Sequence, residues 1–264
     1  DLAKRGYALR ICPVDDGSRD NTREIIARLA RGESRITPLI HPTNLGLGAG
    51  LRTGLKHFLN NGAQNDLAVL MDADNTHDPN YVFSMLDAIK SGQTDVVIAS
   101  RYVATSKVVG VPKIRLFMSD GARLFYTLLL GVRGVKDYTC GYRLYSHAIV
   151  QRGYAAYGDA LVTESSFACM MELLYKLSRV GARFREVPFT LRYDQKGGES
   201  KMRVLKTMQR SIRMALRLRL SKAAHQAPAA RVPAASQGSL FSLDTKTNEE
   251  NSLQQTGNLC ERAS

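Results

Sequence analysis

Cysteine is scarce in this chain. The four in 264 residues are Cys12, Cys140, Cys169 and Cys260. None forms a Cys-x-x-Cys pair and no histidine stands at zinc-ligand spacing from them, so a structural zinc site has no ligand set. Three lie in apolar or glycine-rich surroundings and read as reduced, packed thiols of a protein on the cytosolic side. Long apolar runs are missing too. No stretch reaches the roughly 18 residues a bilayer-crossing helix needs. The nearest, Leu124 to Leu130, is too short and reads as a core or interfacial helix. No signal-peptide pattern opens the chain. Acid is in deficit: 24 Asp and Glu stand against 37 Lys and Arg, a net charge of +13 that calls for an anionic partner. Residues 201–222 hold eight Lys or Arg and no acid at all. No aromatics are interleaved there, so a base-stacking surface for nucleic acid is not supported.

The rest of the composition suits one ordinary domain plus a tail. Strands are expected at 8–14, 36–40, 67–71, 94–100 and 183–193, and helices near 21–31, from about 47 to 60, from Pro79 onward, at 115–131 and at 163–181. Asn21 and Glu24 are spaced as a capping box. Strands alternating with helices imply an α/β fold with a mostly parallel sheet flanked by helices. Ligands gather at the carboxyl ends of such strands. Residues 1–200 are read as this domain, 201–221 as a basic amphipathic helix on a membrane surface, and 222–264, rich in Ala, Ser, Gln and Asn, as disordered. On that helix Leu205, Met208, Ile212 and Leu216 share one face.

Asp72-Ala73-Asp74, after the apolar run Leu67 to Met71, is the sharpest local signal. Two carboxylates at a strand end suit a hard divalent cation whose shell a diphosphate completes; the alternative is a polar strand end. Asp15-Asp16-Gly17-Ser18 is either a simple turn or a carboxylate contact to a nucleotide. Asn44-Leu45-Gly46-Leu47-Gly48 opens a helix whose N–H groups could face an anion. It lacks the setting of a dinucleotide-binding Gly-x-Gly-x-x-Gly. Arg101, Arg115, Arg143 and Arg192 flank element ends; singly they read as solvated charge, and together they suit phosphate-bearing substrates. His77 is either a base or a structural neighbour of the acidic pair.

Taken in order, these motifs resemble family 2 glycosyltransferases of GT-A fold, in the branch of polyprenol-phosphate hexosyltransferases that includes dolichol-phosphate mannose synthases. The matching motifs are Asp15 to Ser18, Asn44 to Gly48, Asp72 to Asp74, Ser100-Arg101-Tyr102, Asp137 to Arg143, Glu186-Val187-Pro188, and Arg192 with Gly198 to Lys201. The resemblance implies an inverting, metal-dependent transfer of a hexose, mannose from GDP-mannose or glucose from UDP-glucose, to a polyprenyl phosphate. It implies Mg²⁺ or Mn²⁺ at Asp72 and Asp74, a nucleoside beside Asp15 and Asp16, and the acceptor phosphate at Arg101, Arg115 and Ser119. Arg192, Ser200 and Lys201 would lie on a loop closing over the donor phosphates. Asp74, Arg101 and Arg192 are the residues it makes catalytic. Expected partners are the nucleotide sugar, the polyprenyl-phosphate lipid, an anionic membrane surface on the cytoplasmic side and a membrane-anchoring protein, with no nucleic acid. The chain departs from the pattern in three places. The usual first strand ending Val-Ile-Pro-x-Tyr-Asn-Glu is not found, so the sheet is expected to lack a member. Thr76 stands where many relatives have Gln, and a polar tail replaces the transmembrane helices of some relatives. A truncated, inactive membrane-surface module is the competing reading.

Overall fold

The structure is a computed structural model and describes residues 2–90, 92–195 and 204–220, without the side chains of Lys113, Arg115 and residues 204–208. The expected tail and the loop carrying Ser200 and Lys201 lie outside the described residues. After a short 3-10 turn at Ala3–Arg5, the chain order is β1 (Val14–Asp16), α1 (Thr22–Gly32), β2 (Leu39–His41), α2 (Leu47–Asn61), β3 (Leu67–Leu70), α3 (Tyr81–Lys90), β4 (Val96–Ser100) and β5 (Lys107–Val109). It continues through α4 (Lys113–Leu130), β6 (Arg143–Ser146), α5 (His147–Tyr157), α6 (Cys169–Arg179), β7 (Phe184–Pro188), β8 (Thr190–Arg192) and α7 (Val204–Leu220).

β1 and β2 pair in parallel through the α1 crossover, in the register Val14–Leu39 to Asp16–His41. A second sheet has the order β3-β6-β4-β7, with β6 antiparallel to both neighbours and β4 parallel to β7. β5 and β8 form a third, parallel pair. β4 is buried along its whole length because it is central and covered on both faces, as its unbroken apolar run requires. β3 is the outer strand, so the stretch expected to be buried is only half so: Val69 is 38% and Met71 45% exposed. Among the described residues no strand joins β3 to the β1–β2 pair.

Three elements differ from the sequence expectation. Residues 137–143, read as a loop, run directly into β6 and then α5; Ser146 accepts a hydrogen bond from the Ile149 N–H and caps that helix. The strand expected over 183–193 is split. Pro188 supplies no N–H to extend the ladder, Phe189 turns into the core at 1% exposure, and β8 leaves to join β5. The helix expected from 163 starts at Cys169, leaving 162–168 as a loop. The Asn21 cap also lacks its side-chain bond, and Asp20 accepts the Thr22 N–H at 3.1 Å.

The core is built on the four-stranded sheet, with α3 against β4 and β7 and α5 against β6, and extends through α6 and α7. α6 is buried over Cys169 to Tyr175, each large side chain there contributing about 1.5–3 kcal/mol. On α7, Met214, Ala215 and Leu218 are buried, whereas Leu216 and Leu220 are exposed. The packing stripe is therefore rotated from the Ile212/Leu216 face read from spacing, because α4 and α6 receive the 214/215/218 side.

Candidate active site

The acidic pair sits on a tightly tied turn. β3 ends at Leu70, and Asn75 adopts φ 64°, the single positive value among the described non-glycine residues. Asparagine tolerates that conformation. Asp74 Oδ1 accepts from the Thr76 N–H (3.2 Å) and hydroxyl (2.6 Å). Thr76 is thereby committed to Asp74. The Asp72 N–H donates to His77 Nδ1 at 3.1 Å, which fixes the ring proton on Nε2. His77 stacks on Tyr142 (4.9 Å between centroids) and meets the Phe189 edge. The Arg192 N–H reaches Thr76 O at 3.3 Å. His77 thus acts as a wedge that holds the turn.

Asp72 and Asp74 open onto a cavity of about 320 Å³. Arg101, Tyr102, Ser119 and Arg123 share its lining, and Met118, Tyr126, Met171 and Leu191 give it an apolar flank. A site with carboxylates at one end, cations and hydroxyls in the wall and an apolar flank suits a ligand that is part anion and part hydrocarbon.

Arg101 is clasped by Asp137. Its Nε and Nη2 donate to the two carboxylate oxygens at 2.8 and 2.7 Å, its backbone N–H to Oδ2 at 3.1 Å, and Nη2 also reaches the Thr139 hydroxyl. Burial pushes the Asp137 carboxyl up, but the Arg101 charge and its hydrogen bonds outweigh that, and the net value lies below the ordinary one. Glu186 accepts the N–H groups of Lys136 and Asp137, both at 2.7 Å; burial raises its carboxyl above the usual range. Arg143 is wholly buried and donates to Met170 O (2.7 Å) and Tyr138 O (2.9 Å). It braces the 137–142 loop from behind and is not among the cavity's lining residues, which corrects its reading as a phosphate ligand. Burial pushes the Cys140 thiol up to about 12, so it is no nucleophile.

The two remaining motifs lock together. Asp15 has no exposed side-chain surface; it accepts from the Ser18 N–H (3.0 Å) and Arg23 Nε (3.2 Å). Asp16 accepts the N–H groups of Leu45 and Gly46 at 2.9 and 2.8 Å and pairs with His41 Nδ1 at 2.7 Å. The Gly48 N–H donates to Ser165 O. The α2 N-terminus, expected to face an anion, is therefore closed by protein. A Cβ on Gly48 would stand 1.8 Å from Glu164 O, so the second glycine of Asn44–Gly48 is there for the passing 164–165 backbone.

The cavity gathers Asp72, Asp74, Arg101 and Ser119; Asp15, Asp16 and Arg192 are not in its lining. Arg192 is half-buried and paired with Asp194 at 2.8 Å, while its neighbours Leu191 and Tyr193 do line the cavity. Arg115 lies in the first turns of α4. Arg123 and Lys136 line the cavity unforeseen. The Ser119-to-Arg123 spacing, four residues on one helix face, is the signal that could have found the first.

The model of glycosyl transferase family 2 matches residues 1–153. The chain is 33% identical over 195 residues to the polyprenol monophosphomannose synthase of Mycolicibacterium smegmatis, covering 74% of this chain and 70% of the relative. It is 32% identical over 189 residues to the undecaprenyl-phosphate mannosyltransferase of Micrococcus luteus, covering 72% and 74%. Among solved structures it is similar to glucosyl-3-phosphoglycerate synthase from Mycobacterium tuberculosis in complex with Mn²⁺, UDP and phosphoglyceric acid. That match has TM-score 0.56 and 18% identity over 80% of this chain and 67% of the other. The acidic pair at the end of β3, the βαβ unit before it and these matches agree: the chain belongs to glycosyl transferase family 2 and is a glycosyltransferase of GT-A fold.

Proposed function

We propose that this glycosyltransferase moves mannose from GDP-mannose to a polyprenyl phosphate, with inversion, at the cytoplasmic surface of an anionic membrane. The observation that carries the reading is the composition of one cavity: Asp72 and Asp74 at one end, Arg101 and Ser119 in the wall, and an apolar flank. The activities named for the two mannosyltransferase relatives support it.

The acidic pair fits a hard divalent cation, Mg²⁺ or Mn²⁺. Its donors are two carboxylates, and among the described residues no group of three His, Cys, Asp or Glu gathers anywhere. The chain thus offers Asp72 and Asp74 and leaves other positions to phosphate and water, as such ions accept. A bound ion would neutralise charge on the departing diphosphate. The protein's own part is positioning. The ties from Thr76 and His77 fix the two carboxylates. Asp15 and Asp16 brace the turns beside which the nucleoside would rest. Arg101, Ser119 and Arg115 would meet the acceptor phosphate, and Arg192, Ser200 and Lys201 the donor phosphates. A phosphate acceptor is already anionic near neutral pH, so it needs no strong base. The fixed proton on His77 Nε2 accords with that. Holding two polyanions in line is then the main task.

The membrane part rests on α4. Ile114, Phe117, Leu124 and Leu128, spaced along one face, are 60–77% exposed, and Leu216 and Leu220 of α7 are exposed as well. Arg213, Arg217 and Arg219 are exposed beside them. Apolar residues framed by arginines suit a headgroup interface.

The test is transfer of radiolabel from GDP-mannose, with UDP-glucose as competing donor, to a short polyprenyl phosphate with Mn²⁺. Labelled lipid from GDP-mannose alone is expected. Label from UDP-glucose instead would overturn the sugar, and label from neither, with folded protein, would overturn the activity.

A further inference from the structure

Arg123 stands on α4 one turn beyond Ser119 and lines the same cavity. Its guanidinium carbon lies 4.8 Å over the Tyr102 ring. Tyr102 is itself anchored, its hydroxyl donating to Ser119 O at 3.1 Å. Cation–π attraction to an anchored ring restrains the guanidinium. Two facts separate it from Arg101. Its Nε is buried with no hydrogen-bond partner. Its ion-pair partner, Asp120, is 3.9 Å away, and with the two side chains 40% and 59% exposed solvent screens the pair. Arg101, by contrast, spends Nε and Nη2 on the wholly buried Asp137, so its charge is cancelled inside the protein.

An anion entering the cavity therefore meets a buried ion pair at Arg101 and, at Arg123, a 40% exposed guanidinium held only by a loose, solvent-screened pair with Asp120, whose Nε is buried and unused. A buried donor without a partner is costly until a ligand supplies an acceptor. We propose that Arg123 is a further phosphate-binding residue of this cavity, recognising the phosphomonoester head of an amphiphilic acceptor beside Arg101, whose pairing with Asp137 also fixes the 137–140 loop. The proposal deepens the acceptor-site reading above and rests on it.

The experiment is calorimetric titration of geranyl phosphate, inorganic phosphate and GDP with Mn²⁺ into the intact protein and into R123Q, R123K and R133Q. Arg133 is exposed and off the cavity, and serves as the control. R123Q should weaken geranyl phosphate binding about tenfold or more, the loss expected for one charge-assisted hydrogen bond. R123K should recover part of it, having charge without the fork. R133Q, and GDP binding in every variant, should stay within about twofold of wild type. Geranyl phosphate binding to R123Q within about twofold of wild type, or a parallel loss of GDP binding, would overturn the role. Equal binding of inorganic and geranyl phosphate would overturn the amphiphilic acceptor. Arg123-dependent binding without sugar transfer would overturn the proposed activity and support this residue's role; transfer with an unchanged R123Q ratio would do the reverse. Failure of wild type to bind geranyl phosphate would overturn both.

Discussion

Replacing Gly48 by alanine separates two accounts of the Asn44–Gly48 segment by sign. Inside a helix, Gly→Ala normally stabilises by about 1 kcal/mol. If the segment served an anion, the added methyl would cost donor binding and leave the fold as stable or better. The structure demands the opposite. The new Cβ would lie 1.8 Å from Glu164 O and 2.9 Å from its carbonyl carbon, both backbone atoms. That backbone cannot yield cheaply, because the buried Glu172 carboxylate holds the Thr163 and Glu164 N–H groups at 2.8 Å each. Either the loop lifts, losing those bonds and the Gly48 bond to Ser165, or α2 slides off Val14. Overpacking costs about 1–3 kcal/mol and each of the three broken hydrogen bonds about 1 more, giving a loss of about 4–6 kcal/mol. For a domain of this size the melting temperature should fall by roughly 8–24 °C. Gly50 is the internal control: its Cβ would meet only Val14 Cγ1 at 3.7 Å, so Gly50→Ala should be neutral or stabilising. Thermal melts followed by far-ultraviolet circular dichroism decide the matter. A Gly48→Ala protein as stable as Gly50→Ala would refute the reasoning.

Three further outcomes follow from the same structure. Asp137→Asn leaves Arg101 without its buried counter-charge and should cost about 3–5 kcal/mol in urea unfolding. Because the Asp137 carboxyl titrates below its ordinary value, its contribution is complete above about pH 4 and is lost as pH falls through the lower folded value. The wild type should therefore lose stability in that acid window, and Asp137→Asn should lose less there. Glu186→Gln keeps the acceptor for Lys136 and Asp137 but removes a charge that burial disfavours. The wild type, whose Glu186 titrates above about 4.3, should lose stability relative to this variant as pH rises through the raised folded value. Phe117→Glu with Leu128→Glu, at 76% and 77% exposure, should abolish sedimentation with anionic vesicles while unfolding stays within about 0.5 kcal/mol per site.

Much of the strand-and-helix order was legible because short apolar runs alternate with helical spacing from residue 36 to 100. Arg143–Ser146 was not, since a strand opening with a buried arginine has no apolar signature; only the carbonyls of Met170 and Tyr138, distant in sequence or turned inward, make that burial tolerable. The split at Pro188 was readable in principle, but the apolar alternation continuing through Phe189 and Leu191 masked it. In the site, Asp72, Asp74, Arg101 and Ser119 stand out from residue type and motif order, and the cavity gathers them. Whether a motif residue faces a ligand or the protein was not legible. Asp15, Asp16 and Arg143 look alike in sequence to residues that bind substrate. Asp15 turns to Ser18 N–H and the Arg23 guanidinium, whereas Asp16 and Arg143 meet N–H and C=O groups of segments elsewhere in the chain.

The central claim is that the carboxylates at the end of β3 anchor the donor through a divalent ion. Its most direct test is titration of GDP into wild type and Asp74→Asn, each with and without Mn²⁺. Tight GDP binding is expected only for wild type with Mn²⁺, and at least about a hundredfold weaker binding in the other three cases. Equal GDP affinity with and without the metal, or an Asp74→Asn protein that binds as wild type does, would contradict it.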